Sequence, residues 1–528
     1  MNPFIVKRLS ALICLAFAAQ SAQGELPAPP AAGLPDEVPS GLPFDSIKAQ
    51  PQIKAITTGS PQRRITKPAD AALTTDEPGF AVGDFFLYPE LTLKQTYDSN
   101  IFAANRDAVS DAITTPSATL TGRSNWTRHK LTFEAGIDSD NYWTNTSQDV
   151  YNYWLGVEGR YDFSPDTNVF GGLRHSRNNE ERGSVNPLFS IDPTTYFSTQ
   201  AHVGTAFRNG PVVVRAGATV ERLDYLATSG APVPATSSND DRDQLQYAVG
   251  ARVGYELSPT LTPFIQVMTD TRDYDRSLDG YGFQRSSNGY RASIGAAWKP
   301  STTLDTEAFL GKLYQRYDDA RFGSVSRPYF GASLTWKPQS TTRFQALIDR
   351  SLDETTIPGA SGFVDTTVLV EGEHAVSRDL VANARFAHSW SEYQGINRDD
   401  KVAFASTGFR YYLDPAVFLG VDLQVTNRNS SDPGSDYFRN QLMFTLGYTP
   451  GRKNPGLGGS TGEPGLLSGG QGQSELHGSI TPKLAFFNHS GNSAYLNRYD
   501  TLAENLGGNR HAGFIGDIDF NLRWQNKD

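Results

Sequence analysis

The stretch Ala416-Val417-Phe418-Leu419-Gly420-Val421-Asp422-Leu423-Gln424-Val425-Thr426 decides how the chain is read. Val417, Leu419, Val421, Leu423 and Val425 share one face, opposite Asp422, Gln424 and Thr426. A period of two puts successive side chains on opposite sides of an extended backbone, so this is a strand with one apolar and one polar side. Outward from it the theme recurs. In Lys130–Asp138, Leu131, Phe133, Ala135 and Ile137 oppose Lys130, Thr132, Glu134, Gly136 and Asp138. In Leu380–Trp390, Leu380, Ala382, Ala384, Phe386 and Trp390 oppose Asn383, Arg385 and Ser389. The Val, Thr, Tyr and Phe content suits strands. Around Ser406-Thr407-Gly408 the phase slips, and a bulge there would re-aim the strand.

The breaks between these runs alternate in length. Short ones fall at Ser164-Pro165-Asp166, Asn209-Gly210, Ser258-Pro259-Thr260, Lys299-Pro300-Ser301, Lys337-Pro338-Gln339, Ser377-Arg378 and Asp414-Pro415, mostly residues that preset or tolerate turn geometry. Long polar ones fall at Ala103–Ser110, Asn178–Pro193, Ala227–Asp241, Ser277–Gln284, Asp318–Ser324, Glu354–Gly362, Glu392–Asp399 and Asn429–Ser435. Tight turns at one rim and long loops at the other describe an all-β transmembrane up-and-down antiparallel barrel, with turns in the periplasm and loops outside. Strands placed between the breaks from Phe85 to Tyr448 number about 18, an even count that leaves both ends on the periplasmic side. A soluble all-β protein would have no reason to sort its loops by length.

The flanks read differently. Lys7 and Arg8, the apolar run Leu9–Ala19 and Ala22-Gln23-Gly24 have the order of a secretory signal peptide, assigned to residues 1–24. An uncleaved anchor is disfavoured because the apolar core is short. Cys14, the chain's one cysteine, lies inside this segment, which leaves a mature chain without thiol chemistry. Residues 25–80 are Pro-rich, as in Pro27-Ala28-Pro29-Pro30, and are expected to be a disordered periplasmic leader before a barrel at 81–450. Residues 451–477 are rich in Gly, Pro and Ser and read as a linker. Beyond it, within 478–528, Ile480–Phe487 and Phe514–Trp524 read as a hairpin. It either extends the barrel to about 20 strands, since parity survives, or docks as a periplasmic appendage. A mean hydropathy of −0.44 is compatible with a barrel, whose strands show lipid only every second side chain. A net charge of −10 gives no basic footprint for nucleic acid.

Phe85-Phe86-Leu87-Tyr88-Pro89-Glu90-Leu91 followed by Tyr97-Asp98-Ser99-Asn100-Ile101-Phe102 resembles the opening of the family called putative outer-membrane β-barrel porins. Ser124-Asn125-Trp126-Thr127-Arg128-His129, Asp166-Thr167-Asn168, Gly171-Gly172-Leu173-Arg174-His175-Ser176 and Glu181-Arg182-Gly183-Ser184 fit as well, so the resemblance covers residues 80–450. It implies a Gram-negative outer-membrane location. Some members resemble proteins associated with exopolysaccharide production and export, which suggests saccharide or exopolysaccharide passage. The expected partners are outer-membrane lipid, the barrel-assembly machinery, and polar solutes or polysaccharide.

No catalytic, cofactor or metal motif stands out, so an enzyme is not expected. The histidines (His129, His175, His202, His374, His388, His477, His489 and His511) are scattered, and the His388-Ser389 adjacency gives no reason to expect a nucleophile and base. Asp98-Ser99-Asn100, and Asn239-Asp240-Asp241 with Asp243, could hold a hard cation but read better as solvated turns. The polar faces carry more. If the apolar faces meet lipid, then Glu134, Asp138, Arg215, Glu221, Asp305, Glu307, Arg343, Asp349, Glu371, Glu373, Arg385 and Asp422 face the lumen. A charge facing lipid near the midplane costs about 2–4 kcal/mol for Arg or Lys. A barrel this wide has room for an aqueous channel. Mixed charges favour polar, uncharged solutes, while the same charges could instead pair across a plugged lumen. A non-conducting structural barrel that docks a periplasmic secretion or export partner is the alternative function.

Overall fold

Period-two alternation becomes strand wherever the chain is described. A computed structural model describes residues 79–450 apart from 165, 181, 183–192, 228–238, 340, 378 and 415, and the backbone of 474–486 and 514–526. The strands begin with β1 (Phe80–Val82), β2 (Phe85–Asp98), β3 (Asp111–Ser124), β4 (Lys130–Tyr142), β5 (Val150–Ser164) and β6 (Thr167–Asn179). They continue with β7 (Thr195–Asn209), β8 (Val212–Tyr225), β9 (Gln244–Tyr255), β10 (Leu261–Tyr274), β11 (Ser287–Ser301) and β12 (Leu304–Tyr317). Then follow β13 (Val325–Gln339), β14 (Thr342–Asp353), β15 (Gly362–Ala375), β16 (Leu380–Gln394), β17 (Asp399–Asp414), β18 (Val417–Ser430) and β19 (Tyr437–Tyr448). A further pair, β20 (Ser474–Phe486) and β21 (Phe514–Asn526), comes last. The assigned signal peptide, almost all of the leader and most of the linker lie outside the described residues.

Each strand from β2 to β19 pairs antiparallel with the next, and β19 returns to β2 from Gln441↔Asp98 to Tyr448↔Leu91. The result is a closed ring of 18 strands. Pairing of β19 stops at Leu91, and the exposed lower edge of β2 is taken by β1, with Phe80↔Leu87 and Val82↔Phe85. Gly83, at φ +58°, makes the tight turn between them. Strands β20 and β21 pair with each other in a separate two-stranded sheet. The ring closes without them, so the 20-strand arrangement is not realised.

Three details differ from the sequence reading. The turns at 125–129 and 143–149 are absent from the breaks read in the sequence, although Asn125, Asn145, Ser147 and Asp149 are turn formers. Pro300 and Pro338 end strands and do not make the turns; the register shifts between Trp298 and Ser301 and between Trp336 and Gln339, where a residue without N–H cannot continue the ladder. No bulge occurs at 406–408, since β17 and β18 stay in register from Asp400↔Ser430 to Tyr412↔Phe418. Gly408 supplies room instead: a Cβ there would come within 2.0 Å of Asp422 Oδ1.

The ring is inverted relative to a soluble protein. Leu91, Leu93, Ile265, Val267, Ile294, Leu310, Leu423, Phe444 and Leu446 are exposed on the outside, while Lys94, Thr96, Thr115, Gln246 and Thr367 are buried on the inside. Such an outer surface is stable only against hydrocarbon. Exposed aromatics bound the apolar band in pairs on single strands: Tyr151 and Tyr161, Tyr247 and Tyr255, Tyr290 and Trp298, Phe438 and Tyr448. Separations of eight to ten residues, at about 3.4 Å each, span roughly 27–34 Å along the strand. Tilted by roughly 40°, that becomes about 21–26 Å, the height of an outer-membrane apolar band.

Candidate functional site: the charged interior face

Strand parity places alternate side chains on the inside of the ring, and there most charges sit beside a partner. Of the charged residues singled out from sequence, Glu134, Asp138, Arg215, Glu221, Asp305, Glu307, Arg343, Asp349, Glu371, Glu373 and Arg385 are more than nine-tenths buried, and Asp422 is half-buried. Arg343 Nη2 donates to Glu373 Oε2 at 2.9 Å across β14 and β15, and Arg385 Nε donates to Glu371 Oε2 at 3.3 Å across β15 and β16. Both are directly opposed pairs in the ladder. Lys299 Nζ lies 3.0 Å from Asp305. Glu134 accepts from Trp154 Nε1 at 2.7 Å, Asp138 from Asn152 at 3.1 Å and Glu221 from Ser198 at 2.7 Å. Arg215 stands over the Phe170 ring at 5.0 Å. Charge-assisted bonds of this kind offset the cost of removing each group from water.

Some links span several strands. Arg252 of β9 donates to Gln266 of β10 at 2.7 Å and to both carboxylate oxygens of Glu307 on β12, at 2.9 and 3.1 Å. Arg272 of β10 sits between Asp270 at 3.7 Å and Glu354, beyond the end of β14, at 3.1 Å. Arg252 and Arg272 were not among the residues singled out from sequence, although the period-two phase they share with Gln244 and Gln246 in β9 and with Gln266 and Asp270 in β10 could have marked them. Glu354 and Arg285 lie in connections, where no period marks them.

The second of those links involves a hairpin that leaves the wall. Pairing of β13 with β14 runs from Gln339↔Thr342 up to Gly331↔Asp349 and stops, although both strands continue. Above that point β13 pairs only with β12, and β14 only with β15. Pro328, in the unpaired edge of β13, has no N–H to offer. Leu352 and Val364 share the outward phase of exposed Phe344 and Val370, yet they are 0% and 1% exposed. They pack against Leu313, Tyr317, Phe322, Val325 and Tyr329. Leu313 and Tyr317 share the buried phase of Asp305 and Glu307 in β12, so the upper part of β14–β15 has its outward side laid on the inner side of β12–β13.

The loop aspartates are engaged by protein donors. Asp98 accepts from Arg439 Nε at 2.8 Å and Gln441 at 3.0 Å, Asp240 from Arg276 at 2.8 Å, Asp241 from the Gly280 N–H at 2.8 Å, and Asp243 from the Tyr225 N–H at 2.6 Å. Among the described residues no group of three His, Cys, Asp or Glu side chains could hold a metal ion. His388 packs edge-on against outward Trp390, at 4.3 Å between ring centres, while Ser389 is buried on the opposite face, so the two cannot act as a pair.

The family model described as "Putative beta-barrel porin 2" matches residues 75–448. No curated protein matches the chain. Among solved structures, the chain is similar to the Pseudomonas aeruginosa ferric enterobactin receptor PfeA, at 8% identity and a TM-score of 0.40, covering 69% of this chain and 80% of the receptor. It is also similar to P. aeruginosa OpdK, solved with vanillate, at 12% identity and a TM-score of 0.38, covering 69% and 98%. Acinetobacter baumannii OccAB3 follows at 10% identity and a TM-score of 0.37, covering 69% and 98%.

Proposed function

The chain belongs to the putative beta-barrel porin 2 family, and from that premise we propose that it is an outer-membrane channel for polar, uncharged solutes, saccharides foremost. The observation that carries this reading is the pairing of opposite charges inside the ring. Arg343 with Glu373, Arg385 with Glu371, and Arg252 with Glu307 each present donors and acceptors with little net field. A hydroxyl-rich solute can exchange its water for such groups, whereas an ion gains no continuous rail of one sign. The twelve charged positions from Glu134 to Asp422 named from the sequence are the proposed lumen lining. Passage of an exopolysaccharide rests on the family resemblance and is the narrower form of the same reading.

Residues 1–24 would direct export and the barrel-assembly machinery would insert the ring, with residues 25–80 as a periplasmic leader. Residues 451–477 would link the ring to the 478–528 hairpin as an appendage. The test is the conductance of the purified mature protein in a planar bilayer. Discrete open-channel steps are expected, and Glu371→Lys with Glu373→Lys should shift the ion preference towards anions. A folded, heat-modifiable barrel that is silent would sink the open channel and favour a plugged ring or a scaffold docking a periplasmic export partner. A chain ending at Thr449 should fold and conduct like the longer one; failure to fold would make the terminal hairpin part of the barrel.

A further inference from the structure

We propose that the inward-laid tip of β14–β15 is the constriction of the channel and sets which solutes pass. The inference rests on the channel reading above and adds to it the element that determines selectivity. Its basis is how the tip is held. From β14 the chain reaches across four strand positions to β10, roughly 19 Å along the wall at about 4.8 Å per strand. Glu354 meets Arg272 Nη1 at 3.1 Å and Gln244 Nε2 at 3.3 Å. Arg285, in the connection between β10 and β11, donates to three carbonyls of the tip: Thr355 at 2.6 Å, Ala360 at 2.7 Å and Ile357 at 3.2 Å. Arg272 and Arg285 are 1% and 5% exposed. On its other side the tip meets the β16–β17 connection. Gly395, at φ +101°, lies so near Gly359 that a Cβ would come within 2.5 Å of its carbonyl oxygen.

The tip therefore spans between two parts of the rim as a chord. The sector it cuts off, towards β10–β13, is filled by Phe283, Phe322, Tyr317 and Leu313 packed on Leu352 and Val364. That sector is packed with side chains. Traffic is confined to the other side, past the tip. The hold is polar on one end and apolar along its length. A guanidinium shared among three carbonyls, and held from behind by Asp279 Oδ2 at 2.8 Å, fixes a backbone with geometric precision, and its removal takes one donor from each of the three acceptors at once.

The test uses the full chain in a planar bilayer with potassium chloride, folding being checked by heat-modifiable migration. Arg285→Ala releases the tip and should raise single-channel conductance about twofold or more, since a pore's narrowest part dominates its resistance. Pro358 is exposed at the tip. Pro358→Cys, placed in a Cys14→Ser chain, should lose conductance when a bulky, membrane-impermeant thiol reagent is added. If the native protein conducts while Arg285→Ala conducts equally and the modified Cys has no effect, the constriction is wrong and the channel stands. If the native protein is silent and Arg285→Ala opens it, both ideas are supported. Silence in every form overturns the channel, and the constriction with it. Should Arg285→Ala fail to fold, the thiol experiment decides alone: unchanged current overturns the proposal.

Discussion

Strand β18 and the hairpin β14–β15 are built from similar residues and treated differently. In β18, Leu419, Val421 and Leu423 are exposed while Gln424, Thr426 and Arg428 are buried, so the two phases never mix. In β14–β15 the same order holds towards the short-turn rim, with Phe344 and Val370 exposed and Glu371 and Glu373 buried. Above Asp349 it dissolves. Ser351, Leu352 and Asp353 are buried in succession, and so are Phe363, Val364 and Asp365. Alternating burial is thus a property of what surrounds a strand more than of the strand itself. Hydrocarbon on one side and polar groups on the other preserve it; protein on both sides erases it.

One substitution made in both places should separate the two environments most strongly. Leu352→Ala empties a fully enclosed site and should cost about 2–5 kcal/mol, the transfer loss plus a cavity. Leu423→Ala should lose only the transfer loss, about 2 kcal/mol, because lipid closes over the gap. Urea unfolding of the barrel in lipid vesicles measures both. Equal costs would mean that Leu352 is not enclosed. Next in size is Leu423→Arg, which should cost about 2–4 kcal/mol by facing a cation into hydrocarbon. Gln424→Arg, one residue on and inside, should cost well under half as much in the same measurement. The reverse order would invert the assignment of faces.

What could be read in the sequence follows the same division. Arg343, Glu371, Glu373 and Arg385 keep phase with their strands, so period two was enough to mark them as one face. The ring's closure was legible from the parity of the breaks, even with the turns at 125–129 and 143–149 missed. The tucked hairpin was not. Phe363-Val364 breaks the alternation while Leu352-Asp353 keeps it, and a broken pattern is equally consistent with a loop, a bulge or a second layer. Only the contact between Leu352 and the β12–β13 face separates these, and that contact depends on partners distant in sequence. Arg285 is a polar residue in a polar connection, and nothing local distinguishes it from a solvated one.

The smallest expected effect concerns how neighbouring loops are tied at the outer rim. Asp319, in the connection after β12, accepts from Arg321 Nε, from the Arg321 N–H and from the Gln284 N–H, each at 2.9 Å, and so joins its loop to the one after β10. The hydrogen bond from the Arg321 side chain holds its carboxyl below the usual carboxylate range. A lowered folded-state pKa means that the stabilisation is present above about pH 4, the ordinary value, and is lost as pH falls through the lowered one. Asp243, in the connection before β9, behaves oppositely. Burial raises its pKa, so its folded form favours the proton and its site weakens as pH rises through that raised value. Amide hydrogen exchange over 318–324, corrected for intrinsic rates, should therefore accelerate on acidification, whereas exchange at 243 should not. Asp319→Asn should bring 318–324 close to its acid behaviour already at neutral pH and flatten the dependence. If the variant keeps the native pH dependence, another group ties these loops together, and the rim is held by the Arg285 clamp without help from Asp319.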